Sequence, residues 1–234
     1  EIPNAFIRDP LDIDAISDLL GSFVYFKTEQ DGYILREASA EEVNEWFENI
    51  RPTESQEPPL DLSYTSILPL EQIGFDMFDA YGAKCANVAT MGSFGFPENT
   101  IPNGFGIPFY FYREFMEYNG LFEVIHELLE EEDFREDRET RNDLLGLLRE
   151  TIRQASMPDW MLAELADMHA SFPEGTSVRC RSSTNNEDLP GFSGAGLYDS
   201  KTQHPEEGHI SKSVKQVYAS LWYLRAFEER DFYR

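Results

Sequence analysis

Residues 178–200 read VRCRSSTNNEDLPGFSGAGLYDS, and here the residue types best fit a chemistry. On an extended strand, alternation puts Arg179 and Arg181 on one side and Val178 and Cys180 on the other. SSTNNED follows, and then a glycine-rich loop, Gly191-Phe-Ser-Gly194-Ala-Gly196. Guanidinium forks, hydroxyls and glycines that let backbone N–H groups close on an anion together suit a polyphosphate. The glycine spacing is neither a Walker A nor an ordered GxGxxG, which excludes the P-loop and dinucleotide-fold readings. The competing reading is a surface turn whose arginines pair with Glu187 and Asp188.

Two further cations stand where a local rule is broken. Lys84 falls in the first turn of a helix expected over residues 83–91, where a cation opposes the helix dipole by roughly 0.3–1 kcal/mol. An anion held there would turn that liability into a ligand; otherwise Lys84 is an exposed lysine at a fraying end. Arg225 extends the apolar stripe of Tyr218 and Leu221. It either snorkels at the rim or points into a site. None of the four histidines, His126, His169, His204 and His209, has HExxH spacing or a cysteine partner, so zinc is not indicated. The run EEED at 130–133 reads as a solvated acidic turn.

The elements that must position these groups follow from periodicity. Residues 10–20 carry a short helix pattern closed by Gly21. SFVYFK and YILR then flank the turn EQDG as a hairpin would. Ser39 with Glu42 is a capping box for a helix through Phe47. Residues 51–60, RPTESQEPPL, hold three prolines and no apolar period and read as a linker. Beyond it lie the helix over 83–91, a strand over 104–109 running into a helix near 112–117, and helices over 121–129 and 144–152. A helix starting at Pro158 places Met161, Leu165 and Met168 on one face, a strand spans 176–181, and a last helix spans 211–225. The fold class is α/β (α+β).

Composition bounds the rest. The chain has 234 residues, with 19 Lys+Arg against 44 Asp+Glu, a formal charge of −25. At 41% hydrophobic and 14% aromatic it can bury a core, which argues against disorder. The negative field disfavours nucleic acid and anionic lipid, and no apolar run reaches the ~18 residues of a spanning helix. Two isolated cysteines, Cys85 and Cys180, indicate no disulfide framework and a reducing, cytoplasmic compartment. The opening at Glu1 and the close on FEERDFYR, without a helix-ending signal, lead us to expect a piece of a longer polypeptide.

Four ordered blocks carry a family resemblance. Gly82-Ala-Lys84-Cys-Ala-Asn87 is similar to GGKxAN, and Ile101-Pro-Asn-Gly104-Phe-Gly-Ile-Pro108 to VPxGFxIP. Arg181-Ser-Ser183-Thr-Asn-Asn-Glu187-Asp188-Leu-Pro190 through Gly196 is similar to RSSAxxEDLPxxSxAG. Val217-Tyr-Ala-Ser220-Leu-Trp-Tyr-Leu-Arg225-Ala226 is similar to VWASLxxxRA. The chain thus resembles the PEP/pyruvate-binding ATP-grasp nucleotide domain of phosphoenolpyruvate synthase, pyruvate phosphate dikinase and glucan water dikinases. The tail SGAGLYDS is closer to the glucan water dikinase version.

The resemblance implies residues 1–50 as the end of a phosphohistidine swivel-like domain, 51–60 as linker and 61–234 as a truncated first ATP-grasp subdomain. It implies that Lys84 and Arg181 contact ATP phosphates and act in catalysis. By the same carry-over Ser183, Ser193, Gly194, Ala195, Gly196 and Arg225 belong to the nucleotide site. Mg2+ would accompany ATP on ligands outside this chain. The parent protein would phosphorylate a mobile histidine from Mg-ATP and pass the group to pyruvate/PEP or a glucan. The piece alone would have no turnover and would bind ATP weakly. Two departures, Tyr81 for the first glycine of GGK and Gly194 for the phenylalanine before AG, motivate the alternative of a non-catalytic interaction or regulatory module.

Overall fold

A computed structural model describes residues 16–30, 32–98, 100–186, 192, 194 and 196–233. The chain forms two units, Glu1–Thr53 and Glu54–Arg234.

In the first unit, β1 (Val24–Glu29) and β2 (Gly32–Glu37) pair antiparallel, from Val24 opposite Glu37 to Glu29 opposite Gly32. The hairpin expected from SFVYFK and YILR is present, with strands extending into the residues assigned to its turn. Of the helix expected over 10–20, residues 10–15 lie outside the described residues; Ile16 and Ser17 are helical and residues 18–21 turn.

Helix α1 (Ala40–Ile50) opens on the Ser39–Glu42 capping box, with Glu42 N–H on Ser39 Oγ at 3.2 Å and Ser39 N–H on Glu42 Oε2 at 2.9 Å. Arg36 grips the same carboxylate and stacks over Tyr25, 4.4 Å from the ring centroid. The Arg36 fork and the Ser39 N–H hold Glu42 down to about 2 from its ordinary value of 4.5. Because the folded value is the lower one, this contribution is present above about pH 4.5 and is lost as the pH falls towards 2. An NMR titration should find the Glu42 carboxyl protonating near pH 2, and Arg36→Ala should return it towards the ordinary carboxylate range.

In the second unit, β3 (Leu68–Pro69) is followed by α2 (Phe78–Tyr81), α3 (Ala83–Met91), β4 (Phe105–Gly106), α4 (Phe109–Tyr118) and α5 (Leu121–Glu130). Then come α6 (Glu132–Glu136), α7 (Arg138–Gln154), α8 (Asp159–Ala170), β5 (Val178–Arg181), β6 (Ser200–Gln203), α9 (Ser211–Ser220) and α10 (Leu224–Tyr233). The strands form two antiparallel pairs, β3 with β4 and β5 with β6, the second in the register Val178 opposite Gln203 through Arg181 opposite Ser200. This is a mixed α/β unit. Its core is helical: Phe111, Phe115 and Met116 of α4 meet Leu145 and Ile152 of α7 and Met161 and Leu165 of α8. The expected Met161–Leu165–Met168 face is buried.

Two expectations are corrected. The acidic run over 130–133 is exposed, as expected, but is not all turn: Glu130 ends α5 and Glu132 opens α6, whose Phe134 (1% exposed) stacks edge-on against Phe227 at 5.2 Å. The last helix breaks over residues 221–223, where Leu221, Trp222 and Tyr223 N–H groups bond three residues back rather than four. Ser220 Oγ bonds back to Val217 O at 2.7 Å, a contact that bends helices. Two arginines take up carbonyls at the break, Arg149 on Trp222 O at 2.9 Å and Arg230 on Leu221 O at 2.6 Å. Within the stretch expected as linker over 51–60, Gln56 and Pro59 hydrogen-bond to this unit. Gln56 N–H reaches Tyr233 O at 3.0 Å, and Asn185 Nδ2 reaches Pro59 O at 2.6 Å. Just past it, Asp61 N–H reaches Asp79 O at 2.9 Å.

Candidate functional site

The site is built where α3 meets the end of β5. Gly82 closes α2 and opens α3 at φ 83° and ψ 157°, a conformation open essentially to glycine alone. A Cβ on Gly82 would lie 2.4 Å from the Ser183 backbone and hydroxyl. The glycine therefore lets the residues after β5 press directly on the start of α3. Ala83 N–H then donates to Thr184 O at 3.0 Å and Cys85 N–H donates to Ser183 Oγ at 2.9 Å. Two of the donors that a helix start leaves unsatisfied are capped by residues about a hundred positions away.

This stitch brings Lys84 and Arg181 to the wall of one cleft of about 2050 Å³. Alternation on β5 works as the sequence indicates: Val178 and Cys180 are half-buried while Arg179 and Arg181 are exposed. Arg179 donates to Thr202 Oγ1 on β6 at 2.8 Å. Five basic side chains, Lys84, Arg113, Arg179, Arg181 and Arg230, face four acidic ones among the described lining residues. The whole chain holds 19 against 44, so the cleft is a local concentration of the scarce charge. The rival pairing of the arginines with Glu187 and Asp188 concerns positions outside the described residues.

The other expected site residues divide. Ser183 lines the cleft, but its oxygen accepts the Cys85 N–H. Ser193 and Ala195 lie outside the described residues. Gly194 is buried and its carbonyl accepts from Leu197 N–H at 3.3 Å, and Gly196 takes a positive φ of 72°. Neither lines the cleft, whereas their neighbours Phe192 and Tyr198 do. Phe192 and Leu197 anchor this loop against Ala226 and Tyr233 of α10.

Arg225 does not line the cleft. The break before α10 resets the helical phase, so that Ala226 is buried, Arg230 one turn later follows it inward and Arg225 turns outward. Arg225 instead lies 5.4 Å from the Tyr223 ring centroid and directs Nε at Leu197 O, 3.4 Å away, beside the glycine loop. Arg230 and Arg113 are the lining cations that periodicity missed. The back-bonding Ser220 within VYASLWYL is the one local signal that could have pointed to the break and so to Arg230.

Tyr81, which stands where the resembling family carries glycine, is buried (1% exposed) and lies in the cleft wall beside Lys84 and Cys85. Its hydroxyl donates to Ser66 O at 2.9 Å, its ring stacks on Tyr64 at 5.8 Å, and burial pushes its phenol up to about 12. Room for the ring comes from Gly106, where a Cβ would sit 2.8 Å from Tyr81 Cδ1 and 2.7 Å from Cys85 Sγ. Cys85 and Cys180 are free thiols in the cleft wall, each pushed up to about 11 by burial. At pH 8 this leaves about a hundredth of the usual thiolate. Both should alkylate roughly 100-fold more slowly with iodoacetamide in the folded chain than in urea, with rates climbing toward pH 11. Ordinary thiol rates in the folded chain would contradict that burial.

No group of three or more His, Cys, Asp or Glu among the described residues is arranged to hold a metal ion. No helix among them is long and apolar enough to cross a membrane.

Comparison with known proteins adds a second line of observation. Residues 78–232 match the family model described as pyruvate phosphate dikinase, AMP/ATP-binding domain. The phosphoenolpyruvate synthase of Aeropyrum pernix is 30% identical over 170 residues, 70% of this chain and 20% of that protein. A probable phosphoenolpyruvate synthase of Staphylothermus marinus is 31% identical over 175 residues, 72% of this chain and 20% of its own length. The phosphoenolpyruvate synthase of Pseudomonas aeruginosa is 27% identical over 168 residues, 70% of this chain and 21% of that protein. The chain spans about a fifth of the length of these curated relatives.

Proposed function

Because this chain belongs to the pyruvate phosphate dikinase AMP/ATP-binding domain family, we propose that its second unit is the first subdomain of an ATP-grasp fold and binds the phosphates of Mg-ATP. Lys84 supplies a compact charge and Arg181 a two-pronged fork to the phosphate oxygens. Arg225 steadies the chain beside Gly196 through Leu197 rather than reaching the nucleotide. The observation that carries this reading is the capping of the Lys84 helix by the residues that follow Arg181. Two cations far apart in sequence then stand on elements that are hydrogen-bonded to each other.

The intact protein is then a dikinase-type phosphotransferase that passes a phosphoryl group from ATP to a mobile histidine and on to an acceptor. Phosphoryl transfer asks little covalent chemistry of the protein. It asks for in-line positioning and neutralisation of charge growing on the phosphate oxygens, which Lys84 and Arg181 provide. Magnesium bound with the nucleotide would neutralise further phosphate charge, on ligands expected outside the described residues. Residues 1–50 are read as the end of the swivelling domain that carries the histidine. Phosphoenolpyruvate synthases among the relatives favour pyruvate/PEP over a glucan as acceptor.

The test is ATP-dependent phosphorylation of the intact protein, followed with radiolabelled ATP. Lys84→Ala should reduce labelling at least 100-fold, as loss of a preorganised transition-state charge does. Unchanged labelling would remove Lys84 from this role.

A further inference from the structure

We infer that Ser183 is a positioning residue that fixes the Lys84 helix against the Arg181 strand and acts on the nucleotide only through Lys84. The inference rests on the phosphate-binding reading above and deepens it. Its geometry is local and specific. Ser183 Oγ accepts the Cys85 N–H at 2.9 Å, across 98 positions of sequence. One residue on, Thr184 O accepts the Ala83 N–H at 3.0 Å, so two consecutive residues clamp the first turn of α3 on either side of Lys84.

Gly82 has no Cβ because Ser183 occupies that space, its backbone and hydroxyl both 2.4 Å from where the atom would stand. Asn185 continues the clamp by donating to Pro59 O at 2.6 Å. Residues 183–185 therefore join β5, α3 and the Pro59 segment at one point. A hydroxyl used this way caps a helix start that no side chain of its own element caps. The lysine in that first turn needs such a brace, because its own charge opposes the dipole of the helix that carries it.

A direct phosphate ligand and a positioning residue differ in how their loss combines with the loss of Lys84. The experiment is a double-mutant cycle on the intact protein. Mg-ATP affinity is measured by calorimetry for wild type, Ser183→Ala, Lys84→Met and the double variant, with melting temperatures alongside. Removing a cap costs roughly 1 kcal/mol, so Ser183→Ala should weaken ATP binding about fivefold when Lys84 is present. In the Lys84→Met background the same change should alter affinity less than twofold. Ser183→Thr, which keeps the hydroxyl, should recover most of the affinity provided its melting temperature matches wild type.

Equal losses in both backgrounds would mean that Ser183 touches the nucleotide itself and would overturn the inference. A lowered melting temperature with unchanged affinity would mean a merely structural cap and would overturn it too. If Lys84→Met alone leaves affinity intact, the phosphate-binding reading fails at its own arm of the cycle, and with it any role of Ser183 through Lys84.

Discussion

Gly82→Ala should destabilise the second unit by about 3 kcal/mol or more and abolish high-affinity nucleotide binding with it. Two costs add. A non-glycine residue in this backbone region carries roughly 1–3 kcal/mol of strain. Forcing a methyl group into a packed contact costs roughly 1–3 kcal/mol more. The contact is with backbone and hydroxyl of Ser183 at 2.4 Å, not with the far end of a flexible side chain. Relief requires α3 to move off the residues after β5, which breaks the Ala83–Thr184 and Cys85–Ser183 bonds together. Urea unfolding with a matched ATP titration checks both halves. A variant as stable as wild type would show that the pivot is looser than the geometry indicates.

Tyr81→Gly, which restores the glycine of the resembling family, should destabilise rather than repair, by about 3–5 kcal/mol as for other deletions of a buried aromatic. The ring is buried, hydrogen-bonded to Ser66 O and packed against Tyr64 and Gly106. Its removal leaves a cavity beside α3 and adds the backbone freedom of glycine at the last residue of α2. Because the ring is buried and its hydroxyl is taken by Ser66 O, the loss should appear in the denaturation midpoint while ATP affinity of the folded fraction changes little. A stability gain would mean that the site tolerates the family's residue as it stands. The Tyr81 departure, one of the two that motivated a non-catalytic module, is thus taken up by a packed, hydrogen-bonded ring in the inner wall of the cleft.

What the sequence showed and what it hid separate along a physical line. Periodicity recovered the helical faces that bury their stripes, as at Met161 and Leu165, and alternation recovered the outward arginines of β5. The Ser39 capping box was legible because its partners lie three residues apart. Contacts across long sequence separations were not legible. Nothing around Lys84 announces that Ser183 and Thr184 cap its helix, and nothing in RPTESQEPPL announces the bond from Asn185 to Pro59 O. The break before α10 carries no glycine or proline, so the stripe ran on through residue 225 and selected Arg225 instead of Arg230. An acidic run likewise hid Phe134, the buried residue of α6.

The central claim is that Lys84 and Arg181 grip the phosphates of ATP. Calorimetric titration of the intact protein with Mg-ATP, and with adenosine as a ligand lacking phosphates, tests it most directly on wild type, Lys84→Met and Arg181→Met. Each charged hydrogen bond removed is worth roughly 1.5–3 kcal/mol, so each variant should bind Mg-ATP about 10- to 100-fold more weakly and bind adenosine as wild type does. Unchanged Mg-ATP affinity in both variants, or an equal loss for adenosine, would contradict it.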